Sequence, residues 1–293
     1  MKNKSAVFIM LGQSNAVGHG IPMEEKDIIK TPLKNVFGLL RSDNQSFDIE
    51  KLKWSGYLSG GMNLGETQDN TYSLVNQLAK VWQNKIDEGA DLPDLYIIQI
   101  AIGAEAVTEK YKWYPKREKK LIPGPLGICD ISLYPFSCHI FSLLDKSFKE
   151  MNKEYEIIGL HWRGGSNDVT ENSEDLKLKL YSIYDEIFNG FNKILNNPSI
   201  FIHRLFIKER CFDCDSTGEY YKSMNVINST FTKLSENFEN ISIYDISKYP
   251  HYDPNVRCYG LYIEDAVHFT PEVNLWAATE IIREYSERHN YGL

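Results

Sequence analysis

Four short segments of the chain carry residue types that together could run acyl transfer. The first is Gly12-Gln13-Ser14-Asn15, a serine on a glycine-backed turn directly after an apolar run. Alpha/beta folds raise a nucleophile above a sheet in this way. The second, Ile102-Gly103-Ala104, places a glycine where no side chain covers the backbone N–H, which can then face an oxyanion. The third runs from His161 to Asp168 and offers the Asn167 amide as a further donor. The fourth, Asp265-Ala266-Val267-His268, sets a carboxylate three residues before an imidazole. That spacing lets the carboxylate hold one ring N–H and fix the tautomer, leaving the other nitrogen to take a proton from a serine.

Each segment alone has an ordinary reading. Gly-Gly-Ser-Asn-Asp is also a turn sequence, and an Asp-x-x-His arises by chance in a chain with seven histidines. The combination is more informative. It supplies a nucleophile, two donors beyond the serine's own N–H and an oriented base, in an order that one sheet edge could present.

The elements that must position them follow from hydrophobic period. Short β-rich runs at 6–11, 95–102, 155–161, 200–207 and 240–246 alternate with helical patterns at 72–88, 139–152, 174–196, 219–237 and 271–288. The strands are almost continuously apolar, as in a parallel sheet covered on both faces. Ser173 reads as an N-cap with Glu174 and Asp175 in the first turn; Thr270, Pro271 and Glu272 read as the opening of the last helix. The expectation is a three-layer α/β/α fold with a central, mostly parallel five-stranded sheet, formed by one domain over 1–293. Segments 20–70 and 108–137 read as loop insertions near the ligand crevice.

Composition narrows the function classes. The 293 residues are 42% hydrophobic and 25% charged, with a formal net charge of −8. This excludes a disordered chain, and a general nucleic-acid binder would need a basic face instead. No apolar run approaches the roughly 18 residues of a membrane span. Residues 6–11 read as a first strand rather than an export signal, which gives a cytoplasmic expectation. The five cysteines suggest no disulfide framework, and Cys211-x-x-Cys214 has no second pair at zinc-ribbon spacing. Neither a metal nor an organic cofactor is called for, and the sequence leaves the oligomeric state open.

On these residues the chain resembles the SGNH (GDSL-like) hydrolases. The likeness is to the carbohydrate acetylesterase branch whose first block reads Gly-Gln-Ser-Asn, which includes sialic-acid-specific acetylesterases and family 6 carbohydrate esterases. The resemblance implies Ser14 as nucleophile, His268 as general base and Asp265 as its orienter, with an oxyanion hole of the Ser14 and Gly103 N–H groups and the Asn167 side chain. The third block departs from the branch, which carries Trp-x-Gln-Gly-Glu where this chain has Trp162-Arg163-Gly164-Gly165-Ser166. Glu105 stands where the branch has a small hydroxyl residue; it either disfavours anionic substrates or points to solvent.

The expected substrate is an O-acetylated carbohydrate, such as sialic acid or another acidic glycan. Gln13 and Arg163 are candidate substrate contacts, Arg163 through a carboxylate or else as half of an ion pair with Asp168. The basic, aromatic segment 109–120, EKYKWYPKREKK, either steers an acidic glycan or forms a solvated loop. A general short-chain carboxylesterase, a sugar O-acetyltransferase and a non-catalytic glycan-binding module remain as alternatives on the same fold.

Overall fold

A computed structural model describes residues 4–66, 70–123, 129–168, 174–206, 219–265 and 267–291. In chain order the elements are β1 (Lys4–Gly12), α1 (Ser14–Val17), β2 (Val36–Leu39), α2 (Arg41–Asn44), β3 (Trp54–Gly56), α3 (Leu74–Asp87) and β4 (Leu95–Ala101). Then come β5 (Leu121–Pro123), β6 (Cys129–Ile131), α4 (Leu133–Ser142), α5 (Leu144–Glu150), β7 (Glu154–Arg163), α6 (Glu174–Leu195), β8 (Ile200–His203), α7 (Glu219–Asn237), β9 (Ile241–Tyr244) and α8 (Pro271–His289).

Alternation along β1 explains the layering. Val7, Ile9 and Leu11 point into one apolar cluster with side chains of α4, α6 and α7, while Ala6, Phe8 and Met10 point into another with α3 and α8. All six are fully buried, each large one contributing roughly 1.5–3 kcal/mol. The result is an α/β/α sandwich around a mostly parallel sheet, as expected from the sequence.

The sheet has seven strands, not five, in the order β3-β2-β4-β1-β7-β8-β9, with β3 antiparallel to β2 at the edge. Both extra strands fall inside segment 20–70, where the sequence suggested a loop. β2 has four residues with Gly38 among them, and β3 has three, too few for a period to register. Segment 108–137 also holds the β5–β6 hairpin and the start of α4. Pro135 lies in the first turn of α4, where its missing N–H breaks no helical bond, so the helix begins before the expected 139. Thr270 caps α8 as expected, its hydroxyl accepting from Val273 N–H at 3.3 Å with Pro271 following. The Ser173 cap and the Cys211/Cys214 pair lie outside the described residues. Among those described, no helix is long and apolar enough to cross a membrane, and no group of three metal-ligating side chains forms.

Strand register gathers the chemistry. Gly12 is paired with Ala101 of β4 on one side and with Arg163 of β7 on the other. Ser14, Gly103 and Gly165 each follow that level by two residues, so the three turns emerge side by side at the carboxyl edge of the sheet.

Candidate active site

The serine turn is held from beneath and from both sides. At Gly12 (φ +136°) a Cβ would stand 2.2 Å from the Arg163 carbonyl oxygen, so only glycine allows β1 and β7 to meet there. Gln13 N–H donates to that carbonyl at 2.9 Å. The Gln13 side chain accepts from Gly165 N–H at 3.2 Å and donates to the Ser166 hydroxyl. Its amide is thus engaged within the protein, joining the first and third segments, although the residue also borders the adjoining pocket. Trp113 donates its indole N–H to Gly12 O at 2.9 Å and is buried against Trp162. It belongs to the support of the turn.

Ser14 opens α1 and is buried. Its neighbour Asn15 reaches to the histidine loop, donating from Nδ2 to Val267 O at 2.9 Å and accepting at Oδ1 from Phe269 N–H at 3.2 Å. In that loop Asp265 Oδ2 lies 2.6 Å from His268 Nδ1. Asp265 Oδ1 accepts the N–H groups of Val267 (2.8 Å) and His268 (3.0 Å). Burial pushes the Asp265 carboxyl up, but these two N–H bonds and the imidazole outweigh it and hold it below the usual carboxylate range. With Nδ1 donating to the carboxylate, Nε2 is left as the basic nitrogen.

The two other expected donors sit in different settings. Asn167 lies half-buried on the turn after β7. Asp168 anchors that turn: its N–H donates to Gly165 O at 3.1 Å, and its carboxylate accepts from Val107 N–H (3.0 Å) and the Tyr184 hydroxyl (2.8 Å). This ties the turn after β7 to the one after β4. Gly103 N–H donates to Glu66 Oε2 at 3.2 Å, while Glu66 Oε1 is 2.8 Å from His19 Nε2. Glu105 turns inward to Lys112 rather than out to solvent, accepting its backbone N–H at 2.9 Å and pairing with its ammonium.

Arg163 is buried and makes no pair with Asp168. Its Nη1 donates to Asn274 Oδ1 at 2.8 Å and Nε to His203 Nδ1 at 3.2 Å, with the guanidinium over the Phe269 ring. Nη2 has no hydrogen-bond partner among the described residues. Burial lowers the Arg163 pKa to about 10, which leaves it charged at neutral pH. Because Nε donates to His203 Nδ1, His203 carries its proton on Nε2 and gives it to His161 Nδ1 at 3.0 Å. Burial, with the Arg163 charge second, holds the His161 pKa down to about 3; His203 lies well below its ordinary range for the same reasons.

Arg163 and Arg204 both line a pocket beside the serine turn with a cavity volume of about 40 Å³. Ser166, Leu205, Met224, Tyr262 and Phe269 are among its walls, and no carboxylate is among the described residues that line it. The basic segment 109–120, by contrast, is largely paired within the protein: Arg117 and Lys120 with Asp130, Lys112 with Glu105 and Lys116 with Glu186.

Sequence reasoning assigned no role to the Asn15 side chain, to Glu66 or to His19. Asn15 lay within the quoted motif, so its side chain was visible without its partner. Glu66 meets Gly103 from 37 positions away, and no local pattern marks it.

This is an α/β/α sandwich with a serine turn and an Asp–His pair at the carboxyl edge of its sheet. The same fold occurs in NanS, with a TM-score of 0.61 and 14% identity over 98% of this chain and 99% of that one. A protein from Arabidopsis thaliana has a TM-score of 0.56 and 16% identity over 96% and 98%. No family model and no curated protein matches the sequence.

Proposed function

We propose that the protein is a serine esterase that removes O-acetyl groups from a carbohydrate, with an acidic sugar such as sialic acid as the favoured class. The observation that carries the reading is the 2.6 Å Asp265–His268 contact in a loop that Asn15 fastens to the serine turn. Ser14 attacks the ester carbonyl as His268 Nε2 takes its proton. The charge on the tetrahedral oxygen is met by the Ser14 N–H and the Asn167 amide, with Gly103 N–H joining them once Glu66 yields it. His268 then protonates the leaving alcohol, and water, deprotonated by the same nitrogen, frees acetate from Ser14. Two arginines in a pocket with no carboxylate among its described lining residues support an acidic alcohol portion.

The test is acetate release from 4-nitrophenyl acetate, an acetylated xylo-oligosaccharide and 9-O-acetylated sialic acid, each beside Ser14→Ala. Ser14-dependent release with the highest kcat/KM on the sialic acid ester is expected. Release from the nitrophenyl ester alone would redirect the reading to a general esterase, and no Ser14-dependent release would overturn it.

A further inference from the structure

The two flanks of the serine turn carry opposite charge. On the β7–β8 flank lie Arg163 and Arg204, with no carboxylate among the described residues of the pocket wall. On the β4 flank lies Glu66, buried, with Oε2 on Gly103 N–H (3.2 Å) and Oε1 on His19 Nε2 (2.8 Å). His19 belongs to the same neighbourhood: its N–H donates to Ser14 O at 3.0 Å and its ring centroid is 5.7 Å from that of His268. A Cβ on Gly103 would stand 2.7 Å from His19 Cε1, so the ring fills the space the glycine leaves. Glu105 is close by in sequence, but Lys112 neutralises it. Among the described residues the partners of Glu66 are the His19 ring and a peptide N–H, with no Lys or Arg. Its carboxylate therefore stands beside an expected carbonyl-oxygen donor.

We propose that Glu66 selects the charge of the acyl group, admitting neutral or cationic acyl groups and rejecting anionic ones. The inference rests on the esterase reading. An ester lying across Ser14 with its acidic alcohol portion toward the arginines puts its acyl group on the Glu66 flank. Two unit charges about 6 Å apart in a partly desolvated site change a rate on the order of tenfold. Glu66 is thus a specificity-determining residue, and the site is polarised along the ester: negative toward the acyl group, positive toward the alcohol.

The test compares 4-nitrophenyl propionate with 4-nitrophenyl glycinate, acyl groups of equal size that differ by a methyl against an ammonium. At about pH 6.5 the amine lies below its pKa and is charged. Values of kcat/KM are divided by the uncatalysed rates, with Ser14→Ala as blank. The wild type should favour the glycinate about tenfold, Glu66→Asp should keep the preference and Glu66→Gln should lose it. A ratio that is the same in wild type and Glu66→Gln overturns the proposal. Should Glu66→Gln fail to fold, a corrected wild-type ratio of one or below overturns it. Ser14-dependent release of both esters at equal ratio removes only the charge selection. Absence of Ser14-dependent release from either removes the esterase reading and this inference with it.

Discussion

Asn15 holds the backbone on both sides of His268: its Nδ2 donates to Val267 O at 2.9 Å and its Oδ1 accepts Phe269 N–H at 3.2 Å. The residue after the expected nucleophile thus fixes the loop that carries the expected base, across 252 positions of sequence. Asn15→Ala removes both bonds and frees the loop to shift. The expected result is a fall in kcat of about a hundredfold, the usual cost of ångström-scale misplacement, with KM changing far less. A variant with unchanged kcat on 4-nitrophenyl acetate would show that the clamp is idle.

Asp265 has two tasks, holding the His268 ring and capping the loop through two backbone N–H groups. Asp265→Asn keeps the size but replaces an acceptor by an amide, which favours the wrong imidazole tautomer. A loss in kcat of roughly 10³–10⁴ is expected, as in serine triads generally. Because the carboxyl is held below its usual range, wild-type Asp265 stays ionised throughout the working pH range. The kcat/KM profile should therefore show no inflection from it above about pH 4. An inflection there that disappears in the variant would contradict this assignment.

How much of this was legible beforehand depends on the range of the signal. Five of the seven strands, β4, β1, β7, β8 and β9, announce themselves by apolar runs such as VFIML and LYIIQIAI, and the serine and glycine turns follow from where those runs end. Strands β2 and β3 were not legible, because Val36–Leu39 is interrupted by Gly38 and Trp54–Gly56 has no repeat. Trp113 reads from the sequence as part of a basic segment that either steers an acidic glycan or forms a solvated loop, whereas its indole donates to Gly12 O. Arg163 was visible as a charge beside the third segment. Its burial against Asn274 and His203 depends on α8 and β8, which are distant in sequence.

The buried His161–His203 pair predicts how stability responds to acid. Their native pKa values lie below the ordinary value of about 6.5, so the native state resists protonation that the unfolded chain accepts. Their contribution is present above pH 6.5 and is lost as the pH falls toward about 3, the native value of His161. Each group can contribute up to about 1.4 kcal/mol per pH unit within that window. His139, whose pKa burial also lowers, acts in the same direction. Urea midpoints measured from pH 7.5 to 5.5, above the main carboxylate range, should decline. A flat or rising midpoint would mean that these rings take up protons in the folded state.

Arg204 tests the alcohol flank without disturbing the core. Arg163 is buried and bonded to Asn274, so replacing it would confound binding with packing. Arg204 is exposed in the same pocket wall and has no ion pair among the described residues. Arg204→Ala should therefore lower kcat/KM for an acetylated acidic sugar several-fold more than for an acetylated neutral sugar. An exposed charge is screened by salt, so the wild-type preference should itself shrink between about 20 and 500 mM salt, while that of the variant should hardly move. Equal losses on both sugars would assign Arg204 to general packing of the pocket mouth. A preference for the acidic sugar that persists in the variant and at high salt would place carboxylate recognition elsewhere, with the buried Arg163 as the next residue to test.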